Sequence, residues 1–503
     1  MSHKNNINEN HTNTCNEYEM RNKKLNQIRK QGFNFPNNFK PNTNINYINK
    51  KYTDKSNTEL HEKKIEIQIA GRMMKQRIMG KASFITLKDM NEEIQIYVTE
   101  KKISLEIYQN KFKKWDLGDI LGVQGVLFKT KTNELSIYCE KIYLLSKSLR
   151  PLPNKFHGLL DKEMRYRRRY LDLITNKNSI KIFQKRSKIL TIIRNFMEKY
   201  NFIEVETPMM QNIPGGATAR PFITYHNSLN TKMYLRISPE LYLKRLIIGG
   251  FKKIYEINRN FRNEGISSKH NPEFTMMELY MAYSNYKDLM EFTEKLLKVI
   301  IKTTLGSYNI KYHKYLINFY KPFKIFTMKE SIIHFNPNIH ESDLKELKKI
   351  QNIALQYDIK IQKTWSIGKI TTKIFEVTTE KKIIQPTFIT EYPIEVSPLA
   401  KRNNQYKNIA DRFELFIGGM EIGNGFSELN DPEEQKSRFL KQNEKHYNPQ
   451  EEKTFYDKEY IIAMEYGLPP TSGLGIGIDR LIMLITNQKN IRDVILFPTL
   501  RPV

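Results

Sequence analysis

Residues 255–280 read YEINRNFRNEGISSKHNPEFTMMELY, and this stretch says more about the fold than any other part of the 503-residue chain. Two strand-like flanks enclose a polar loop that holds Arg259, Arg262, Glu264, His270 and Phe274. Such a set can clamp a nucleotide. A planar guanidinium takes phosphate oxygens bidentately, an aromatic ring stacks on a base, and a carboxylate accepts from an exocyclic amine. The same spacing also suits a salt-bridged β-hairpin without a ligand, and these residues alone leave both readings open.

Downstream, residues 473–484 read GLGIGIDRLIML. The glycines permit close backbone approach before an apolar helix that opens at Asp479 and Arg480. The run lacks the Lys-Ser/Thr of a phosphate-binding loop and the βαβ context of a dinucleotide fingerprint. Between the two stretches lies ELFIGGMEIGNGFSE, residues 414–428, with Glu414 and Glu421 seven residues apart. Hard carboxylate oxygens beside a triphosphate suit Mg²⁺, although two glutamates at that distance are as readily plain surface residues. Upstream, Ile189, Ile192, Ile193, Phe196, Met197 and Tyr200 recur at helical spacing, which predicts an amphipathic helix over 180–200. A strand over 202–205 follows and is stopped by Pro208.

The N-terminal third has a different texture. Residues 65–69 alternate apolar and polar, as do 83–87, 94–98, 120–128 and 134–145, which predicts five half-buried strands with a helix over 103–115 after the third. That pattern matches an OB-fold, a small barrel that binds single-stranded nucleic acid on one face, and it equally allows a generic β-barrel. Residues 1–62 are polar and predict an exposed extension, helical over 17–30 and then an Asn/Pro-rich connector. Residues 63–148 form the barrel, and 149–177 a linker with the basic run Arg165-Tyr166-Arg167-Arg168-Arg169. Such a run is ordinarily a solvated face, but between a barrel and a larger domain it could touch a tRNA backbone. Residues 178–503 form the main domain, with a Lys/Ile-rich helical insertion over about 300–385. The expected class is α+β.

Composition bounds the rest. No run of about 18 apolar residues occurs, which excludes a helical membrane span, and residues 1–20 hold no apolar block of a secretory signal. Cys15 and Cys139 are the only cysteines, too few for a disulfide framework or a thiolate zinc cluster, so a reducing cytoplasm is expected. The net charge of +28 suits a nucleic-acid partner. It is equally accounted for by drift toward Lys, Asn and Ile, whose codons an AT-rich genome favours.

Taken together, the stretches resemble the class II aminoacyl-tRNA synthetases, in that family's order. The 180–200 helix plus FIEVETP is similar to motif 1, FRNEG…HNPEF to motif 2, and GLGIGIDRL to motif 3. An OB-like domain N-terminal to them is the arrangement of subclass IIb, which serves lysine, aspartate and asparagine. Further stretches resemble its lysine-specific bacterial branch: GRMMKQRIMGKASF, RPLPNKFHGL, ETPMMQNIPGGATARPF, SPELYLKRL, EIGNGFSELNDP and IRDVILFPTLRP among them. The likeness weakens over 1–60 and 300–360.

The resemblance implies an antiparallel sheet flanked by helices, a homodimer formed through motif 1, and ATP, L-lysine and tRNA-Lys as substrates. It implies that Arg262 binds the α-phosphate and stabilises transition-state charge. Phe274 would stack on adenine, with Arg480 on the other face or at the γ-phosphate. Glu264 would read the adenine amine, and His270 the terminal phosphates, with Asn271 also at the nucleotide. Glu414 and Glu421 would ligate Mg²⁺. Gly216 and Glu240 would hold the α-amino group of lysine, and Glu428 and Tyr280 its ε-ammonium, with Glu278, Asn424 and Phe426 beside them. Phe84, Gln95 and Glu134 would read a U-rich anticodon, although Phe84 also suits a place in the barrel core. Charge supports the lysine assignment, because a diammonium substrate needs acidic groups at both ends of its pocket. Two rivals are an aspartate or asparagine ligase, which Glu240 and Glu428 disfavour, and a synthetase-like enzyme that modifies proteins, which the anticodon domain disfavours. A third is a non-catalytic RNA-binding descendant, which would have lost Arg262, Glu421 or Arg480.

Overall fold

Alternating apolar residues in the N-terminal third close into a barrel. The strands are β1 (Glu66–Met79), β2 (Ala82–Asp89), β3 (Glu92–Thr99), β4 (Ile120–Lys129) and β5 (Leu135–Ser146), in the order β1-β2-β3-β5-β4. Only β3 and β5 pair parallel, which gives the OB-fold connectivity. The computed structural model describes residues 2–153, 161–362, 364–445 and 456–502, and the chain divides into units 1–181 and 182–503. The single helix expected over 103–115 is instead three short pieces. A helical turn at Glu100–Ile103 is broken at Ser104, whose φ of +76° no α-helix continues, and a π-turn and a 3₁₀ turn follow.

The expected exposure of the N-terminal extension is corrected. A helix spans Ser2–Lys30, and short helices follow at Ile45–Tyr52 and Asn57–Lys63. Leu25 is buried, while Ile45, Ile48 and Leu60 join the core of the barrel itself. Phe39 lies where a side chain on Gly122 would be, and Asn42 caps the edge of β1 through the backbone of Gln68. The one periodic pair among these anchors, Ile45 and Ile48, is too short a pattern to stand out in a polar segment, so composition hid them.

Ion pairs also decide the basic run of the linker. Arg165 and Arg169 both engage Asp172 at 2.8 Å, and Arg167 pairs with Glu163 at 2.6 Å. Arg169 is almost fully buried, so it and Arg165 hold the linker helices together rather than face a phosphate backbone. Part of the RPLPNKFHGL stretch, residues 154–159, lies outside the described residues.

The second unit is built on an eight-stranded sheet. Its strands are β6 (Ile203–Glu204), β7 (Lys253–Phe261), β8 (Glu273–Ala282), β9 (Lys324–Thr327), β10 (Thr387–Thr390), β11 (Arg412–Ile417), β12 (Met420–Ser427) and β13 (Thr471–Gly477). The order is β9-β10-β11-β12-β13-β8-β7-β6, antiparallel except at its two outermost pairs. Helices Lys177–Lys199, Tyr286–Leu305 and Ile478–Thr486 bury one face of it. Met277, Leu279, Leu474 and Ile476 point into that layer and are at most 2% exposed. Each contributes about 1.5–3 kcal/mol by leaving water. The alternate residues of the same strands therefore face the opposite way, and they make the site. The 300–385 insertion is less helical than expected. It opens with the hairpin Asn309–Tyr312/Tyr315–Asn318 and with β9, and only then come helices Met328–Phe335, Leu347–Gln356 and Ile367–Thr378 around their own core. Among the described residues no helix is long and apolar enough to cross a membrane.

Candidate active site

The free face of the sheet opens into a cleft of about 900 Å³ lined by Arg262, His270, Phe274, Glu278, Glu421, Asn424, Arg480 and their neighbours. Period two along β8 puts Phe274, Met276, Glu278 and Tyr280 on this face. Strand β7 pairs with β8 from Lys253↔Met281 to Phe261↔Glu273, so the opening stretch is a hairpin as expected. Arg259 and Phe274 sit on its strands rather than in its loop.

The glycine run does not form a phosphate loop. Gly473, Gly475 and Gly477 alternate along β13 and pair with Tyr280, Glu278 and Met276. A side chain on any of the first two would fill the cleft. A Cβ on Gly473 would meet Glu428 Oε1 at 2.2 Å and the Tyr280 ring at 2.5 Å, and one on Gly475 would meet Met276 at 2.8 Å. The floor of the cleft is thus a strand stripped of side chains, which lets acidic groups of β8 and β12 lie over it.

One end of the cleft is acidic and dry. Glu240, Glu278 and Glu428 are 6%, 6% and 1% exposed. Ser238 Oγ donates to Glu278 at 3.0 Å and accepts from the Glu240 backbone N–H at 3.1 Å. Burial, and then the neighbouring Glu240 charge, push the Glu278 carboxyl up to about 7. Burial pushes Glu428 up to about 8 against the pull of Lys244, and it raises Glu240 as well. Gly216 has φ +85°, and a Cβ there would lie 2.9 Å from that of Glu240, so only glycine fits. Two groups here escaped the sequence reading. Lys244 is 2.6 Å from Glu240, and its i,i+4 position on helix Glu240–Ile248 was the available signal. Arg412 reaches Asn424 Oδ1 at 3.1 Å and pairs with Glu414, two residues along the same strand.

The other end is cationic. The Arg262 guanidinium sits 5.2 Å from the centre of the Phe274 ring, and its buried Nε has no hydrogen-bond partner among the described residues. Arg480 reaches Glu421 Oε2 and His270 Nε2, each at 3.1 Å. Burial, with Arg480 adding, holds the His270 imidazole below its ordinary range, so it is neutral at pH 7. Lys269 ties the motif-2 loop to the Gly419 carbonyl at 2.7 Å. Glu264 is exposed at the mouth. Asn271 is buried, and its amide is spent on the Glu273 carbonyl and the Thr499 N–H, which fixes the loop base.

Glu414 and Glu421 fit a divalent cation by charge. Burial, with the Glu421 charge adding, pushes Glu414 up to about 7, and Glu380 is pushed to about 8 by burial and by Glu414, Glu421 and Glu376. A cation relieves that repulsion. Among the described residues no three side chains of metal-binding type converge, so the protein would supply two carboxylates and leave other positions to phosphate or water.

In the barrel, Gln95 donates to Glu134 at 2.9 Å and accepts from Ser136. Phe84 is half-exposed on the outside of β2, its ring 4.8 Å from that of Tyr97, so it is not barrel core. The structure brings all three expected residues to the strands β2, β3 and β5 or their edges.

Comparison with known proteins agrees with this geometry. The family described as tRNA synthetases class II (D, K and N) matches residues 161–501, and the OB-fold nucleic acid binding domain matches 67–145. A lysine–tRNA ligase of Buchnera aphidicola subsp. Schizaphis graminum is 63% identical over 96% of both chains. That of Baumannia cicadellinicola subsp. Homalodisca coagulata is 58% identical over 98% of this chain and 97% of its own. That of Edwardsiella ictaluri is 57% identical over 97% and 96%.

Proposed function

Because the chain belongs to the class II tRNA synthetases of the aspartate, lysine and asparagine group, we propose that it is a lysine–tRNA ligase, and that its dry acidic pocket is where lysine binds. It activates L-lysine with ATP and transfers the lysyl group to the 3′-terminal ribose of tRNA-Lys, releasing AMP and pyrophosphate. The observation that carries the substrate is the trio Glu240, Glu278 and Glu428, all nearly inaccessible, the first two lining the cleft and the third packed against its Gly473 floor. A neutral or acidic substrate would bring no ammonium to this buried acidic cluster, which Lys244 offsets only in part, a cost that rejects it.

Each step depends on placement and charge rather than on a covalent intermediate with the protein. Arg262 takes the α-phosphate, for which its unpartnered Nε is a ready donor. The lysine carboxylate, held by its two ammonium groups, attacks phosphorus in line, and pyrophosphate leaves toward His270 and Arg480. Phe274 stacks on adenine, and Glu264 at the mouth accepts from its amine. Glu414 and Glu421 would hold Mg²⁺, which supplies neutralisation of phosphate charge when bound. The tRNA hydroxyl then attacks the lysyl carbonyl, and AMP departs. Phe84, Gln95 and Glu134 read the anticodon. The family implies a homodimer through motif 1, and a cytoplasmic setting is consistent with the two cysteines.

Amino-acid-dependent ATP–pyrophosphate exchange without tRNA tests the reading. Lysine alone should support exchange among the twenty amino acids. Exchange with aspartate or asparagine instead would discard the pocket assignment. Two variants separate the ends of the molecule. Gly473→Ala should lower kcat/KM for lysine by about 10²-fold, because displacing Glu428 and Tyr280 by about 1 Å spoils alignment. Phe84→Ala should weaken tRNA-Lys binding by about 1–3 kcal/mol, the worth of one stacked base, while exchange without tRNA stays unchanged. A Phe84→Ala protein with wild-type aminoacylation kinetics would remove that ring from the anticodon surface.

A further inference from the structure

The acidic end of the cleft holds a cation that the reaction does not use. Lys244 follows Glu240 by one helical turn, which puts the two side chains on one face of helix Glu240–Ile248. Its side chain is 0% exposed. The ammonium lies 2.6 Å from Glu240 Oε1 and pairs also with Glu428 Oε2. The rings of Phe426 and Tyr460 sit 5.5 and 6.0 Å from it. An ion so far from water normally costs several kcal/mol unless it is well paired. Here it is paired twice, to carboxylates from two separate elements.

Its two partners are the groups assigned above to the two ends of the substrate. We propose that Lys244 is a positioning residue for the amino-acid substrate: by bridging Glu240 and Glu428 it sets the spacing of the carboxylates that hold the α-amino and ε-ammonium groups. This rests on the lysine-binding reading and deepens it. Arg412 acts on Glu240, and Arg236 and Arg262 on Glu278. The remaining neighbours that titrate, Tyr280 and Tyr460, are held neutral at ordinary pH by burial, with Tyr280 raised well above the usual phenol range. Lys244 is the main source of opposing charge on Glu428. Without that ammonium the carboxylates would take up protons more readily.

The test compares full-length wild type with Lys244→Met and Lys244→Arg in lysine-dependent ATP–pyrophosphate exchange across pH, with thermal melts to confirm folding. Lys244→Met is expected to raise KM for lysine at least about tenfold, leave KM for ATP within about twofold, and move the pH midpoint of lysine kcat/KM up by about one unit. Lys244→Arg keeps the charge but widens the bridge, so KM for lysine should rise while the midpoint stays. A folded Lys244→Met protein with wild-type lysine KM and midpoint overturns the proposal. So does a parallel rise of both KM values, the mark of a purely structural residue. Should Lys244→Met not fold, Lys244→Arg decides: a raised lysine KM with unchanged ATP KM supports the bridge, and an unchanged lysine KM overturns it. Wild type that exchanges with another amino acid instead fails the lysine reading itself and takes the bridge with it.

Discussion

Arg262→Ala should lower kcat for lysine-dependent ATP–pyrophosphate exchange by about 10²–10³-fold, the usual consequence of removing one preorganised donor from a developing charge. The guanidinium has few commitments in the structure. It lies against Phe274, and its Nε is buried without a partner among the described residues. Such a donor is costly in the resting protein and is compensated only when an acceptor arrives, so its stabilisation falls on the reacting phosphate. The acidic pocket stands at the other end of the cleft, and KM for lysine should change far less than kcat. Arg262→Lys should recover little, since an ammonium cannot replace a planar fork. Exchange by Arg262→Ala within about threefold of wild type would move the phosphate assignment to Arg480 and His270.

Glu428→Gln should have the largest effect on the amino acid, raising KM for lysine by about 10²-fold or more, as loss of one partner in a buried charge pair costs 2–5 kcal/mol. The substitution also strands Lys244 with a single carboxylate. A pH dependence accompanies it, and its sign follows from the raised carboxyls. Free Glu278 and Glu428 keep protons up to about 7 and 8, whereas a substrate ammonium needs them ionised. Affinity for lysine should therefore rise as pH increases through 7 to 8 and level off above, with protons released on binding. As pH falls below 7 the affinity should drop by up to about tenfold per unit for each group. In Glu428→Gln the upper of the two transitions should disappear. Isothermal titration in buffers of different ionisation enthalpy would count the protons directly. Lysine affinity that stays flat from pH 6 to 9 would mean that the pocket remains ionised throughout, and the carboxylates would then not titrate on binding.

Much of this was legible in the sequence, for reasons that particular residues make plain. Strands β1 to β5 alternate cleanly because each has one face in the barrel core and one in water, and that is the pattern a sequence displays best. The hairpin of β7 and β8 showed itself through the density of charged residues at its turn. Lys244 was hidden because a lysine on an apolar helix reads as its solvated edge, and only the partners brought by folding make it a buried ion. The N-terminal segment misled for the opposite reason. Ile45 and Ile48 share one face of an eight-residue helix, too short for its period to stand out, and Leu60 is a lone anchor. The role of the glycine run was also unavailable, because which residues face each other across β13 and β8 is set by strand register, a tertiary property.

The glycine floor has a consequence for anyone wishing to change what this enzyme selects. Protein engineers usually retune a pocket by exchanging the side chains that line it, and the glycines of β13 have none to exchange. Enlarging the cavity from that side is impossible, and filling it pushes Glu428 and Tyr280 out of place. A library aimed at a new amino acid would return only impaired clones at Gly473 and Gly475. Adaptability resides instead in the side chains around that strand, at Ser238, Glu240, Asn424 and Phe426, where a smaller or recharged side chain alters the space offered and leaves the glycine strand itself intact.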